Sequence, residues 1–196
     1  MNWTEVEALI EQAKTFQVEP HLQEKQISSN GRLDPYYNFM RLLAGSVKEP
    51  GIILEIGCFQ GSMAANVCED FAVHAHKFLG VDINGVPFEH EAFTLIQGDS
   101  NSEEVFAKVK EFADANGGIF AIFQDSSHHY IPSVKEFELY RPLVKTGGLW
   151  MSDDILEAFK TPDDEKSMVG YWDDLPGDKR LFEDLHIGSR VGMILC

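Results

Sequence analysis

Two acidic clusters with a histidine beside the first are the residues best suited to do chemistry. The first is Asp125-Ser126-Ser127-His128-His129-Tyr130 and the second is Ser152-Asp153-Asp154. Each follows a short apolar run, Ile119 to Phe123 and Leu149 to Met151. Such runs read as buried strands of a parallel sheet, whose C-terminal tips share one edge where ligands bind. Carboxylates from two tips can therefore meet in one cleft. With His128 among them, they suit a hard divalent cation with oxygen ligands and an adjacent base.

A glycine turn accompanies them. Glu55-Ile56-Gly57-Cys58-Phe59-Gln60-Gly61 follows the apolar run Ile52 to Ile56 and opens a helix at Ser62. Glycine suits a sharp bend where backbone approaches a ligand. A dinucleotide site has the spacing G-x-G-x-x-G and seats a pyrophosphate. Here Phe59 stands at the middle position and would obstruct one. The expected ligand keeps adenosine and ribose but carries no phosphate. Asp82, ending the next strand, is placed to accept from the ribose hydroxyls, and Asp99-Ser100, ending the third, to meet the adenine.

The elements that position these residues alternate. Ile52–Ile56, Phe78–Ile83, Thr94–Gln97, Ile119–Gln124 and Leu149–Ser152 are expected strands. Helices are expected over 62–71, 102–116 and 132–143, with turns at Gly117-Gly118 and Thr146-Gly147-Gly148. Alternation at this pitch makes a doubly wound, mostly parallel α/β sheet. Thr4 with Glu7 has the form of a capping box for a first helix. Asp34 and Pro35 form the N-cap and first position of a second helix. Leu185-His186 and Val191–Leu195 are expected to form a closing antiparallel hairpin. The chain is one domain: 1–50 a helical cap, 51–196 the ligand-binding core. Tyr36, Tyr37 and Phe39 of the cap either cover the cofactor or form a homodimer face. The acid-rich stretch 153–184 is expected to be loop and short helix, with 155–177 able to act as a lid. Its acids read as solvated, and Tyr171 and Trp172 as either core or pocket cover.

The 196 residues carry a net charge of −16, against nucleic acid or an anionic membrane surface as partner. A hydrophobic content of 44% with 24% charged residues is that of a globular chain. Three cysteines without a C-x-x-C pair suggest neither a disulfide framework nor structural zinc. With no signal-like start and no membrane-length apolar run, the expected location is the cytoplasm.

Glu55-x-Gly57-x-x-x-Gly61, Asp82 and Gly98-Asp99 resemble the S-adenosylmethionine (SAM) sites of class I methyltransferases, whose sheet has seven strands. Asp125-x-x-His128-x-Tyr130, Tyr140-Arg141-Pro142-Leu143-Val144-Lys145-x-Gly147-Gly148 and Asp153-Asp154 resemble a metal-dependent branch. That branch holds cephalosporin-hydroxylase-like proteins and macrocin- and mycinamicin-type sugar O-methyltransferases. The resemblance implies a SAM- and Mg²⁺-dependent O-methyltransferase acting on a small hydroxylated molecule, a sugar or natural product. It implies cofactor contacts from Glu55, Gly57, Phe59, Gly61, Ser62, Asp82, Asp99, Ser100 and Asp125. It implies metal ligation by Asp125, Asp153 and Asp154, and general-base catalysis by His128. Asp153 is shorter than the Glu found there in several relatives. The competing readings are a catechol-type methyltransferase with a lysine base, an NAD-dependent oxidoreductase, and a non-catalytic nucleotide-binding module.

Overall fold

The computed structural model describes residues 1–16, 35–156, 162, 164, 166–183, 185 and 190–196. In chain order the elements are α1 (Trp3–Thr15), α2 (Pro35–Ser46), β1 (Ile52–Ile56), α3 (Ser62–Val73), β2 (Lys77–Asp82), β3 (Phe93–Gln97) and α4 (Glu103–Ala115). They continue with β4 (Ile119–Gln124), α5 (Tyr130–Tyr140), a 3₁₀ turn (Arg141–Leu143), β5 (Val144–Ser152), α6 (Met168–Asp174), β6 (Lys179–Phe182) and β7 (Val191–Leu195).

Period-two alternation of apolar side chains gives the sheet two buried faces. In β1, Ile53 packs on one face with α1, α2 and α3, while Ile52, Leu54 and Ile56 pack on the other with α4, α5 and α6. The seven strands lie in the order β3-β2-β1-β4-β5-β7-β6. All neighbours are parallel except β7, which is antiparallel to β5 and β6. This is the doubly wound sheet expected from the sequence. Direction of winding reverses between β1 and β4, which opens the ligand crevice at their C-terminal ends.

Several bounds shift by one or two residues from expectation, and four differences bear on the packing. The cap of α1 is Asn2, which accepts from Glu5 N while Glu5 reaches back to Asn2 N; the capping box lies two residues earlier than Thr4. Buried Trp3 anchors that start by donating to Asp178 Oδ2 at 2.6 Å. β5 begins at Val144, so Thr146-Gly147-Gly148 runs within the strand, beside a register shift against β4. α5 begins at Tyr130. Among the described residues β7 pairs with Lys179–Phe182 as well as β5; of the expected partner Leu185-His186, His186 lies outside the described residues, as do Asp34, Asp163 and Glu165.

In the expected lid, Ile155, Met168, Tyr171, Trp172 and Leu175 are buried in the core beneath β5 and β7. Among the described residues, the stretch is therefore packed structure. Tyr36 and Phe39 are buried on the opposite face, with Tyr36 4.6 Å from the Phe123 ring. Among the described residues, no helix is long and apolar enough to cross a membrane.

Candidate functional site

The strand tips are stitched in series by backbone hydrogen bonds. Gly57 N donates to Val81 O at 2.8 Å, Gly98 N to Asp82 O at 2.8 Å, Asp125 N to Ile56 O at 2.9 Å and Asp153 N to Gln124 O at 3.0 Å. Each bond carries the first residue beyond a strand onto its neighbour, so Gly57, Gly98, Asp125 and Asp153 line up along one edge. Glycine is required at Gly57, where φ is +91° and a Cβ would lie 2.1 Å from Asp125 O. Three other tip residues hold positive φ without being glycine: Phe59 (49°), His128 (53°) and Asp154 (51°). Such backbone is costly and collects at functional loops.

A cavity of about 460 Å³ opens beside β1, β2, β3 and β4. Of the sequence candidates, Gly57, Phe59, Asp82, Asp99, Ser100 and Asp125 line it. Asp82 is fixed at both oxygens, Oδ2 accepting from Phe59 N and Oδ1 from Asn84 N, each at 2.8 Å. Each oxygen keeps a second lone pair for a ligand hydroxyl. Phe59 is 73% exposed at the rim.

Glu55, Gly61 and Ser62 do not line that cavity. Glu55 is buried beneath the tips, and burial, with Asp125 nearby, pushes its carboxyl well above the usual range. Gly61 takes φ +77° to start α3, where a Cβ would meet Val86. Ser126 and His129, named in the first cluster without a role, also line the cavity, and the sequence reading missed Pro132 and Glu136, which line it too. Pro132 and Glu136 are four apart on α5 and thus share one helix face, a spacing visible in the sequence.

The second cluster lies beside the cavity. His128 Nε2 is 2.9 Å from Asp125 Oδ1, and Nδ1 is 3.0 Å from Asp154 Oδ2. Bonding to Asp125 first and Asp154 second raises the imidazole pKa to about 10. The two carboxylates thus favour the charged ring. Asp153 is buried. Burial and the charges of Glu55, Asp125 and Asp153 raise the Tyr36 phenol well above its ordinary pKa. Asp125 and Asp154 thus converge on His128. Among the described residues, however, no three His, Cys, Asp or Glu side chains form a ready metal-ligand set. The imidazole stands between Asp125 and Asp154.

The sheet order and its alternation with helices are those of the methyltransferase Rossmann-like class. Residues 39–171 match the model of the Rhamnosyl O-methyltransferase/CmcI family, and the chain belongs to that family. Among solved structures, MycE methyltransferase of the mycinamycin biosynthetic pathway, in complex with Mg and SAH, is 17% identical over 80% of this chain and 47% of its own, with a TM-score of 0.60. SAH-bound PaMTH1 from Podospora anserina is 15% identical, with coverage of 100% and 97% and a TM-score of 0.61. CalS11, a TDP-rhamnose 3'-O-methyltransferase of calicheamicin biosynthesis, is 14% identical, with coverage of 95% and 91% and a TM-score of 0.54. At these identities the likeness is one of fold. The chain spans about half the length of the MycE chains. No curated protein sequence matches it.

Proposed function

We propose that this chain is a SAM-dependent, Mg²⁺-assisted O-methyltransferase acting on a hydroxyl of a sugar or sugar-bearing natural product. The observation that carries the reading is one cavity holding Asp82, Asp99 and Asp125 from three successive tips beside a phosphate-averse turn. Asp82, held by Phe59 N and Asn84 N, receives the ribose hydroxyls. Asp99 and Ser100 face the adenine. Membership of a rhamnosyl O-methyltransferase family supports the sugar acceptor.

The donors a hard cation would take here are the carboxylates of Asp125, Asp153 and Asp154, on adjacent tips with no thiolate among them; as placed, they form no ready three-residue ligand set, so binding requires His128 to release Asp125 and Asp154. Bound there, such a cation would lower the pKa of the acceptor hydroxyl and fix its direction. His128 takes the hydroxyl proton only when neutral, and its two carboxylate partners keep it charged. Its service as base therefore requires that Asp125 and Asp154 be neutralised by other positive charge. Holding acceptor and methyl donor in line supplies much of the rate.

The test is calorimetric titration with SAM and with NAD, each with Mg²⁺ and with chelator. SAM should bind in both conditions, and Asp154→Ala should abolish Mg²⁺-dependent methyl transfer to sugar acceptors while SAM still binds. Binding of NAD without SAM would overturn the reading.

A further inference from the structure

Glu136 lies in the middle of α5, 1% exposed, with its carboxylate on the cavity wall. Its Oε1 accepts from Ser100 Oγ at 2.5 Å, at the end of β3. Its Oε2 accepts from Gln124 Nε2 and Ser126 Oγ, each at 2.7 Å, at the end of β4. The Gln124 amide cannot turn round. Its Oε1 accepts from Tyr171 OH at 2.5 Å and Ser152 Oγ at 3.0 Å, and its Nε2 also donates to Ser133 O at 3.0 Å. Glu136 is thereby held as an acceptor. Burial pushes its carboxyl up, and its three hydrogen bonds oppose that shift.

A serine hydroxyl has one proton. Ser100 and Ser126 both give theirs to Glu136, so each turns lone pairs toward the cavity. Asp99, on the same wall and close enough for its charge to act on Glu136, adds a further acceptor. This stretch of wall welcomes a ligand edge that carries protons and repels one that carries lone pairs. At the 6-position a 6-amino purine offers protons and a 6-oxo purine lone pairs; N1 reverses the order, so the wall discriminates through the 6-substituent it faces. We infer that Glu136 is a positioning residue that sets the purine subsite for a 6-amino group and against a 6-oxo group, acting through Ser100 and Ser126.

The inference rests on the methyl-donor reading above, and one experiment separates the two. Wild type and Glu136→Gln are titrated calorimetrically with S-adenosylhomocysteine and with S-inosylhomocysteine, which differ at the purine 6-position. Wild type should prefer the adenosyl ligand by a factor on the order of a hundred, because the oxo group leaves acceptors facing acceptors. In Glu136→Gln the carbonyl must stay toward Gln124 and Ser126. The amide NH₂ then faces Ser100, whose released proton turns to the cavity and can meet the oxo group. The preference should fall about tenfold or more. Glu138→Gln, exposed on the same helix, should keep the wild-type ratio. If Glu136→Gln fails to fold, Ser100→Ala carries the test and should also lower the ratio. A wild type that binds both ligands equally, or a ratio unmoved in the variants, overturns the role of Glu136 while the methyl-donor reading stands. A wild type that binds neither ligand overturns both.

Discussion

A carboxylate taken out of water is costly unless hydrogen bonds replace its hydration. Glu55 is 4% exposed, and among the described residues its Oε2 has no hydrogen-bond partner. Desolvation, and then the Asp125 charge, raise its pKa well above the usual carboxylate range. The folded chain therefore binds this proton more tightly than the unfolded chain. The resulting penalty is absent below the ordinary carboxylate pKa and grows as pH rises from there toward the folded value. Glu55→Gln, which keeps shape and removes charge, should stabilise the protein at pH 7.5 by at least about 1 kcal/mol. At pH 4 the gain should nearly vanish. Urea unfolding at both pH values reads the difference, and an equal gain at the two would mean that charge is not the cause. His128 gives a kinetic counterpart. If it takes the acceptor proton, His128→Ala should lower kcat by about 10²–10⁴-fold with a small change in KM. A loss confined to KM would make it a binding residue.

At the scale of elements, the site depends on how closely the strand tips approach. Gly57 is the tightest point, since its missing Cβ lets the β4 backbone pass at Asp125. Gly57→Ala should cost about 2–4 kcal/mol from clash and positive φ together, and cavity binding should fall with it. Gly85→Ala, whose Cβ would meet nothing within 4 Å, should leave both unchanged. Thermal unfolding with SAH titration compares them, and a silent Gly57→Ala would refute the close approach. The tips were legible in the sequence because each follows an apolar run: Asp82, Asp99, Asp125 and Asp153 all stand at or just past strand ends. Two parts were not. β6 is a sheet edge with Lys179 and Arg180 in it, and charged side chains on an edge strand erase the apolar signal. Glu136 enters the cavity from mid-helix, where a buried carboxylate looks like a surface acid until Ser100, Gln124 and Ser126 are seen around it.

At the scale of the whole molecule, α6 and β7 complete the core, while Asp164, between β5 and α6, reaches His129 on the cavity wall. α6 lays Tyr171 and Trp172 under β5 and β7, and Gly192 of β7 makes room for them. A Cβ on Gly192 would come within 2.5 Å of Trp172 Cζ3 and 2.7 Å of Ile155 Cδ1. Trp172 is also held from outside by Lys179 Nζ, 5.2 Å from the ring centroid, so it has little room to retreat. Gly192→Ala should therefore cost about 1–3 kcal/mol through overpacking. Trp172→Phe should cost a similar amount by leaving a void. The two defects offset each other, because the smaller ring yields the space the new methyl needs. The double variant should be more stable than the sum of the singles by at least about 0.5 kcal/mol. No residue of α6 or β7 lines the ligand cavity, so SAH affinity should stay at the wild-type value in all three. Strictly additive costs in urea unfolding would refute the close fit of Trp172 on Gly192. A parallel loss of SAH affinity would show that α6 and β7 bear on the site.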